Sequence, residues 1–458
     1  MPPLFGGVQY TDEPDPLNVS LLDHGALPLI SSMQRNGIRL DCPYLHSLSD
    51  NYHSQQSEIE SEIRSHIGAY QYSHPTHGLT PFSVSSRDHL SQLLFEHLKI
   101  QGDHVEPART PKGKRFEVSE DALSPFKKSH PVVPLVLRWH MLDKLLNTYI
   151  DVLPTLVDSN SRLHTKFNVT VAATGRLSSS QPNLQNIPTR TKEGREIRRA
   201  FIGSPGCYLV SSDLSQIEMR IAAHGSRDPN MVEVFRRGED FHAKNACGIF
   251  GRDYHDVMSW DPESDRFKRW KREERAPSKN LGFGVLYGLT AEGLQRNILT
   301  ESEGEVVWPL EQCQKFIDDF FRLYPGLREL MELQYRRVRR YAMAWDMFGR
   351  VRLVPEAKSA HEHIRSEGER KAGNHYEQAG AQGVIKLAMA ELTGNVNELN
   401  KSFPCLALLQ IHDELIHEVD AKYANEFGQY CQYVFEHATP LVVPTLSSKN
   451  IAETWADL

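Results

Sequence analysis

Leu406-Ala-Leu-Leu-Gln-Ile-His412-Asp413-Glu414-Leu-Ile-His-Glu-Val419 is two short apolar runs around a polar bend, a pattern that predicts a β-hairpin. Two-residue hairpin turns favour Asn-Gly or Asp-Gly, because the turn needs positive φ. This bend holds no glycine. Its turn chemistry is compromised, as expected where a turn also carries a site. Far upstream, Cys207-Tyr-Leu-Val-Ser reads as a buried strand that runs into Ser212-Asp213-Leu214-Ser215-Gln216-Ile217-Glu218. Each segment sets an aspartate where an apolar run stops. Two carboxylates on rigid strand ends can converge on hard divalent cations. Taken alone, Asp213 has a simpler reading as a helix cap, since Asp213 to Gln216 and Ser215 to Glu218 both match a capping box. Asp413 alone reads as an ordinary turn residue.

Between the two acidic segments lies Arg275-Ala-Pro-Ser-Lys279-Asn-Leu-Gly-Phe283-Gly-Val-Leu-Tyr287-Gly288, where cations and then aromatics recur every fourth residue. On a helix this is a slowly winding stripe about 18 Å long. It suits a nucleoside triphosphate, with Arg275 and Lys279 on the phosphates and Phe283 and Tyr287 against sugar and base. The competing reading is an amphipathic helix with snorkelling cations. Gly282, Gly284 and Gly288 speak against it, since each weakens a helix by about 1 kcal/mol relative to Ala. Pro277 requires the helix to begin near Arg275. Thr174 to Pro188, dense in short amides and hydroxyls around Arg176, can contact a sugar-phosphate backbone or minor-groove acceptors. As a pattern it is also simply a polar loop.

The 458 residues imply two to four lobes, and 40% hydrophobic with 24% charged residues describes a soluble globular protein. No run approaches the length of a membrane span, and the N-terminus has no secretory pattern, so a cytoplasmic location is expected. Six scattered cysteines without a CxxC pair argue against structural zinc and a disulfide framework. The net charge of −7 does not advertise a polyanion partner. Any nucleic-acid contact must come from local basic clusters: Arg190 to Arg199, Arg266 to Arg275, and Arg336 to Arg340 with Arg350 and Arg352. Each alone reads as a solvated helix face. Residues 1–19 are polar and proline-containing, which suggests a flexible arm. Helical patterns follow from Leu21 to Asn36, from Tyr44 toward Ile67, after Ser86, and over Pro134 to Ile150. Phe167 to Val171 is β-rich, and helical periodicity dominates from Gly225 to Leu392. The expected architecture is a small sheet carrying the carboxylates, one helical lobe inserted between its strands and another preceding them.

Taken in this order, the segments resemble the family A, or DNA polymerase I-like, DNA polymerases. Asp213 to Glu218 resembles the first carboxylate motif, Arg275 to Gly288 the fingers helix, and Gln410-Ile-His-Asp413-Glu414 the second carboxylate motif. The likeness extends over most of residues 20–458, including Phe82-Ser-Val-Ser-Ser-Arg-Asp-His-Leu90 and Leu145-Leu-Asn-Thr-Tyr-Ile150. The resemblance implies an α+β right-hand fold with an antiparallel palm sheet, helical fingers and a helical thumb. Its parts would be an arm at 1–19, palm at 20–40, thumb at 41–140, palm at 141–224, fingers at 225–396 and palm at 397–458. It implies DNA-templated extension of a primer 3′ end with dNTPs and two Mg²⁺ ions, with Mn²⁺ able to substitute. Asp213, Asp413 and the Leu214 carbonyl would bind metal, with Glu414 in support. Gln216, His242, Arg275 and Lys279 would hold the nucleotide, Lys279 also protonating pyrophosphate. Glu218, near Tyr287, would exclude a ribose 2′-hydroxyl, and Phe283 would discriminate against dideoxynucleotides. Arg176, Asn183, Gln185, Asn186, Arg370, Asn374, Gln378 and His412 match primer-template contacts.

Three stretches depart from the family pattern and bear on template contacts and fidelity: Asn280-Leu-Gly282, His375-Tyr-Glu-Gln378-Ala-Gly380, and Gln181. The short segment before the polymerase-like region leaves no room for a 3′–5′ exonuclease domain. A phage-like or split polymerase is therefore expected, with a nuclease or replisome subunit on another polypeptide. A single-subunit RNA polymerase is the nearest competing enzyme, and Glu218 argues against it. A silent DNA-binding subunit would have no use for Asp213, Asp413 and Lys279 together.

Overall fold

The computed structural model describes residues 7–102, 106–110, 113, 115–189, 191–301, 306–402 and 404–458, and gives the backbone alone for 280, 283, 285, 301 and 394–402. The chain divides into two compact units: Met1–Ile38 with His164–Ile187 and Gly203–Leu458, and Arg39–Leu163 with Pro188–Ile202.

The first unit is built on a four-stranded antiparallel sheet in the order Cys405–Ile411, Glu414–Asp420, Cys207–Leu214, Ser447–Ala452. The two apolar runs of the opening segment do form a hairpin, turning at His412 and Asp413. His412 takes φ 52°, so a non-glycine residue occupies the left-handed conformation this turn demands. Leu415 to Val419 are all buried, on both faces of the sheet. The helix Ala424–His437 packs on Cys207–Leu214 and Ser447–Ala452. The helix Pro16–Asn36 lies against Cys405–Ile411 and against the 41-residue helix Glu362–Ser402. At Gly25 a Cβ would stand 2.9 Å from Ala390 Cβ, and the missing side chain lets the two helices approach this closely.

From Ile217 to Tyr341 the unit is a run of helices, as the periodicity predicted, followed by a short hairpin of Met343–Trp345 and Val351–Leu353. The β-rich stretch is shorter than expected. Lys166–Asn168 pairs with Ser178–Ser180 inside the segment whose pattern is that of a polar loop, and Val171 is exposed.

The expectation of a flexible arm over 1–19 is corrected for the described part of it. Asp15 accepts a hydrogen bond from the Asn18 N–H and caps a helix that starts at Pro16, the residue suited to a first turn. Asn18 is buried and donates to the carbonyls of Gln9 and Phe348. The Asp15 N–H donates to Gly349 O. Composition suggested an arm; hydrogen bonds to residues 347–349 fix it.

The second unit has its own core, in which Ile63, Leu90, Leu93, Leu94, Phe126 and Val136 are buried together. Its main helices are Cys42–Ile67 and Val132–Leu145, the latter continuing as a π-turn over Leu146–Ile150. The boundary expected at residue 140 thus falls within a continuous helix. Among the described residues no helix is long and apolar enough to cross a membrane.

Candidate active site

Strand register joins the two acidic segments. Glu414 lies directly across from Asp213, and Ser448 faces Asp213 from the other side. The Leu214 N–H donates to the Asp413 carbonyl at 3.3 Å. Two aspartates distant in sequence therefore sit side by side at one strand end. The capping explanation of Asp213 fails: it is still in the strand, and the following helix, Ile217–Ser226, has Gln216 at its N-cap with φ 52° and no side-chain cap.

Water reaches the Asp213 side chain, but protein crowds it elsewhere. Partial desolvation first, and the Glu414 charge second, raise its carboxyl to about 6. Asp413 rises to about 7, chiefly by burial, with Glu218 and Asp213 adding repulsion that Arg176 partly offsets. Asp413 Oδ1 is buried with no hydrogen-bond partner among the described residues. Both carboxylates are held at a cost, and a bound cation would relieve it. Among the described residues no three His, Cys, Asp or Glu side chains form a metal cluster by themselves. Two hard carboxylates at a strand end, one with an orphaned oxygen, nonetheless fit an oxygen-seeking divalent ion that takes other ligands from its substrate.

A cavity of about 470 Å³ opens beside this edge, lined by Asp413, Gln216, Ile217, Glu218, Tyr287, His242, Arg275 and Lys279. Glu218 is buried and accepts hydrogen bonds from Arg176 Nη2 at 2.7 Å and from the Tyr287 hydroxyl. Burial and the Glu218 charge keep the Tyr287 phenol well above its ordinary pKa, and Gln378 also bonds to it. Arg275 is held by Asp240 at 2.5 Å. Burial works against ionisation of Asp240, yet the Arg275 hydrogen bond and charge keep its carboxyl below the usual range. His242, buried beside these cations, is pushed down to about 4, first by desolvation, and so is neutral near pH 7.

The cation–aromatic stripe lies in a longer helical run that changes its winding. Lys271–Arg275 is a π-turn, the helix proper is Ala276–Leu286, and Tyr287 lies just past its end. The run starts at Asp265, so the start near Arg275 expected from Pro277 is corrected: the wide π-turn just before it accommodates a residue that supplies no N–H to an α-ladder. The glycines do mark close approach. A Cβ on Gly282 would reach within 3.3 Å of His242 Nδ1, and Gly288, at φ 65°, packs under the Arg370 side chain.

Seven of the expected residues line this cavity: Gln216, Glu218, His242, Arg275, Lys279, Tyr287 and Asp413. Arg176 reaches Glu218, and Gln185 Nε2 donates to Gln410 O at 3.1 Å. Asn183 Oδ1 accepts from the Gln185 N–H at 3.0 Å. Asn374 Oδ1 is buried without a partner among the described residues, and His412 is exposed at the turn. Asn186 lies in the loop beside Gln185 and does not line the cavity. The Phe283 side chain and Arg190 lie outside the described residues. Sequence reasoning missed Asp240 as the anchor of Arg275, and Gln410, a buried polar residue whose amide donates to the His412 carbonyl. Its one signal was a glutamine inside an apolar run. Members of two basic clusters are engaged within the protein: Arg272 with Glu273, Arg275 with Asp240, Arg339 with Glu369, and Arg266 over the Trp260 ring at 3.5 Å.

Residues 42–457 match the model of DNA polymerase family A. The thermostable DNA polymerase I of Thermus aquaticus is 36% identical over 430 residues, covering 93% of this chain and 47% of that protein. DNA polymerase I of Deinococcus radiodurans is 32% identical over 430 residues, covering 94% and 41%. This chain spans about half the length of the curated relatives it matches. A solved structure, the POL domain of Pol1 from M. smegmatis in complex with DNA primer-template and dNTP, superimposes with TM-score 0.79 at 30% identity, covering 96% of this chain and 72% of that one. With these residues in these places, and a family match across nearly its whole length, the chain belongs to DNA polymerase family A.

Proposed function

We propose that this chain extends a primer 3′ end on a DNA template by transfer of deoxynucleotidyl groups from dNTPs. The observation that carries the proposal is the register pairing of Asp213 with Glu414, which brings Asp213 beside Asp413, itself in the lining of a cavity with Arg275 and Lys279. Asp213 and Asp413, with the Leu214 carbonyl, would hold two divalent cations, Mg²⁺ in the first place. Such ions supply Lewis acidity, acidifying the primer hydroxyl and stabilising the departing pyrophosphate. Glu414 adds negative potential from the neighbouring strand.

Arg275, fixed by Asp240, and Lys279 bind the triphosphate, and Lys279 is the proton donor to the leaving group. His242, neutral in this setting, gives a phosphate oxygen an uncharged hydrogen bond. Gln216 lines the nucleotide's approach. Glu218, locked by Arg176 and Tyr287, forms a wall where a 2′-hydroxyl would lie, which favours deoxyribose. Phe283 is assigned to discrimination at the 3′ position. Arg370, Asn374 and Gln378 from one long helix, and Arg176, Asn183, Gln185, Asn186 and His412 from the palm side, are assigned to the primer-template. A primer-template and a dNTP occupy the similar mycobacterial structure, which supports the same partners here. The helical unit that begins near residue 41 is assigned to the thumb, residues 225–396 to the fingers, and the strands bearing Asp213 and Asp413 to the palm. Thermus aquaticus and Deinococcus radiodurans are bacteria, and their polymerases lend no support to a phage-type origin. Primer extension with Mg²⁺, Mn²⁺ or EDTA tests the proposal; extension that persists in EDTA, or none with either metal, overturns it.

A further inference from the structure

Arg350 belongs to a basic cluster that the sequence offered as a phosphate track, yet its guanidinium is spent inside the protein. Its Nη1 and Nη2 meet Asp23 Oδ2 and Oδ1 at 3.1 and 2.5 Å. Lys386, fully buried, donates to the same Asp23 at 2.7 Å. A two-pronged grip of this kind fixes the plane of a guanidinium as well as its position. The backbone on either side is also tied: Asp346 accepts from the Arg350 N–H at 2.8 Å, and the Arg350 carbonyl meets His375 Nε2 at 2.8 Å.

The clamped guanidinium is the surface on which Gly175 rests. A Cβ on Gly175 would lie 2.6 Å from Arg350 Cζ, and Gly175 has φ 74°, so both space and conformation require glycine. The next residue, Arg176, reaches Glu218 at 2.7 Å, and Glu218 is also bound by Tyr287. A continuous set of contacts thus runs from the Asp23–Lys386 pair through Arg350 and Gly175 to the carboxylate that lines the cavity.

We infer that Arg350 is a positioning residue, which sets the reach of Arg176 to Glu218 and through it the choice between deoxyribose and ribose. The inference rests on the polymerase reading. Its test is a double-mutant cycle on the full chain, measuring kcat/KM for dNTP and matching rNTP in primer extension with Mg²⁺. Arg350→Lys keeps the charge but loses the fork; Gly175→Ala presses on the guanidinium without touching it chemically. Each is expected to shift the dNTP-to-rNTP preference by roughly tenfold, the scale of coupling within one contact network. In an Arg176→Ala background neither should shift it further. The ratio does not depend on the fraction of folded enzyme, so a variant that only destabilises leaves it unmoved. An unchanged ratio in both variants, or an equal shift with and without Arg176, overturns the inference. Absence of extension by the unsubstituted chain instead defeats the polymerase reading itself.

Discussion

Asp413 and Glu218, at the start of the next helix, line the same cavity, with Asp213 beside Asp413 at the strand end, yet the fold treats the two aspartates and Glu218 in opposite ways. Glu218 accepts from Arg176 and Tyr287. Asp413 keeps a buried oxygen with no partner among the described residues, and both aspartates are raised toward neutral pH. A carboxylate with satisfied oxygens is a fixed shape. One left unsatisfied at a cost carries charge that a cation can neutralise. On the proposed function, the difference separates a group that would select from groups that would react.

The largest test of that distinction is Asp213→Ala and Asp413→Ala. Each should lower primer extension on the order of a thousandfold or more, while duplex binding in a gel-shift assay stays near wild type. Retained synthesis in either variant would erase the contrast. Lys279→Ala should cost roughly a hundredfold in single-turnover rate, as for loss of one preorganised donor at developing charge. An effect confined to KM would demote Lys279 to ground-state binding. Glu218→Ala should raise rNTP use relative to dNTP by about tenfold to a hundredfold with dNTP incorporation preserved. Unchanged sugar preference would leave Glu218 a purely structural group.

The smallest effect concerns pH. Because both aspartates are raised in the folded state, that state binds more protons than the unfolded chain between about pH 4 and 7. Their contribution to stability is full below about pH 4 and is lost as pH rises through about 6 and 7. In EDTA, Asp413→Asn should therefore gain urea resistance over the unsubstituted chain as pH rises from 5 to 8, and added divalent ion should stabilise only the chain that retains Asp413. Parallel pH profiles for the two would place Asp413 among ordinary solvated carboxylates.

How much of this was legible in sequence follows the range of the interactions. The hairpin at His412 was readable because its strands are neighbours and alternate apolar runs with a bend. Its central partner, Cys207–Leu214, could be read as a strand but not paired, since register across a long insertion leaves no local trace. The capping reading of Asp213 was locally sound and was overridden by strand pairing. The start of the first helix was written in Asp15-Pro16, and average polarity over 1–19 hid it. Arg350 shows the opposite limit: a charge run names the cation, while its partner Asp23 lies 327 residues away. Asp240 was hidden likewise, as an N-cap whose second oxygen serves Arg275.

The strand bearing Asp213 is hydrogen-bonded along both edges, to Glu414–Asp420 and to Ser447–Ala452. Amides in the middle of this strand should exchange with solvent more slowly than those of the outer strands. The Asp213 backbone is thus held from both sides. On the proposed function, adjustment to nucleotides of differing shape would fall to the proline- and glycine-punctuated segment of Arg275 to Gly288, and variants with altered substrate taste should be sought there.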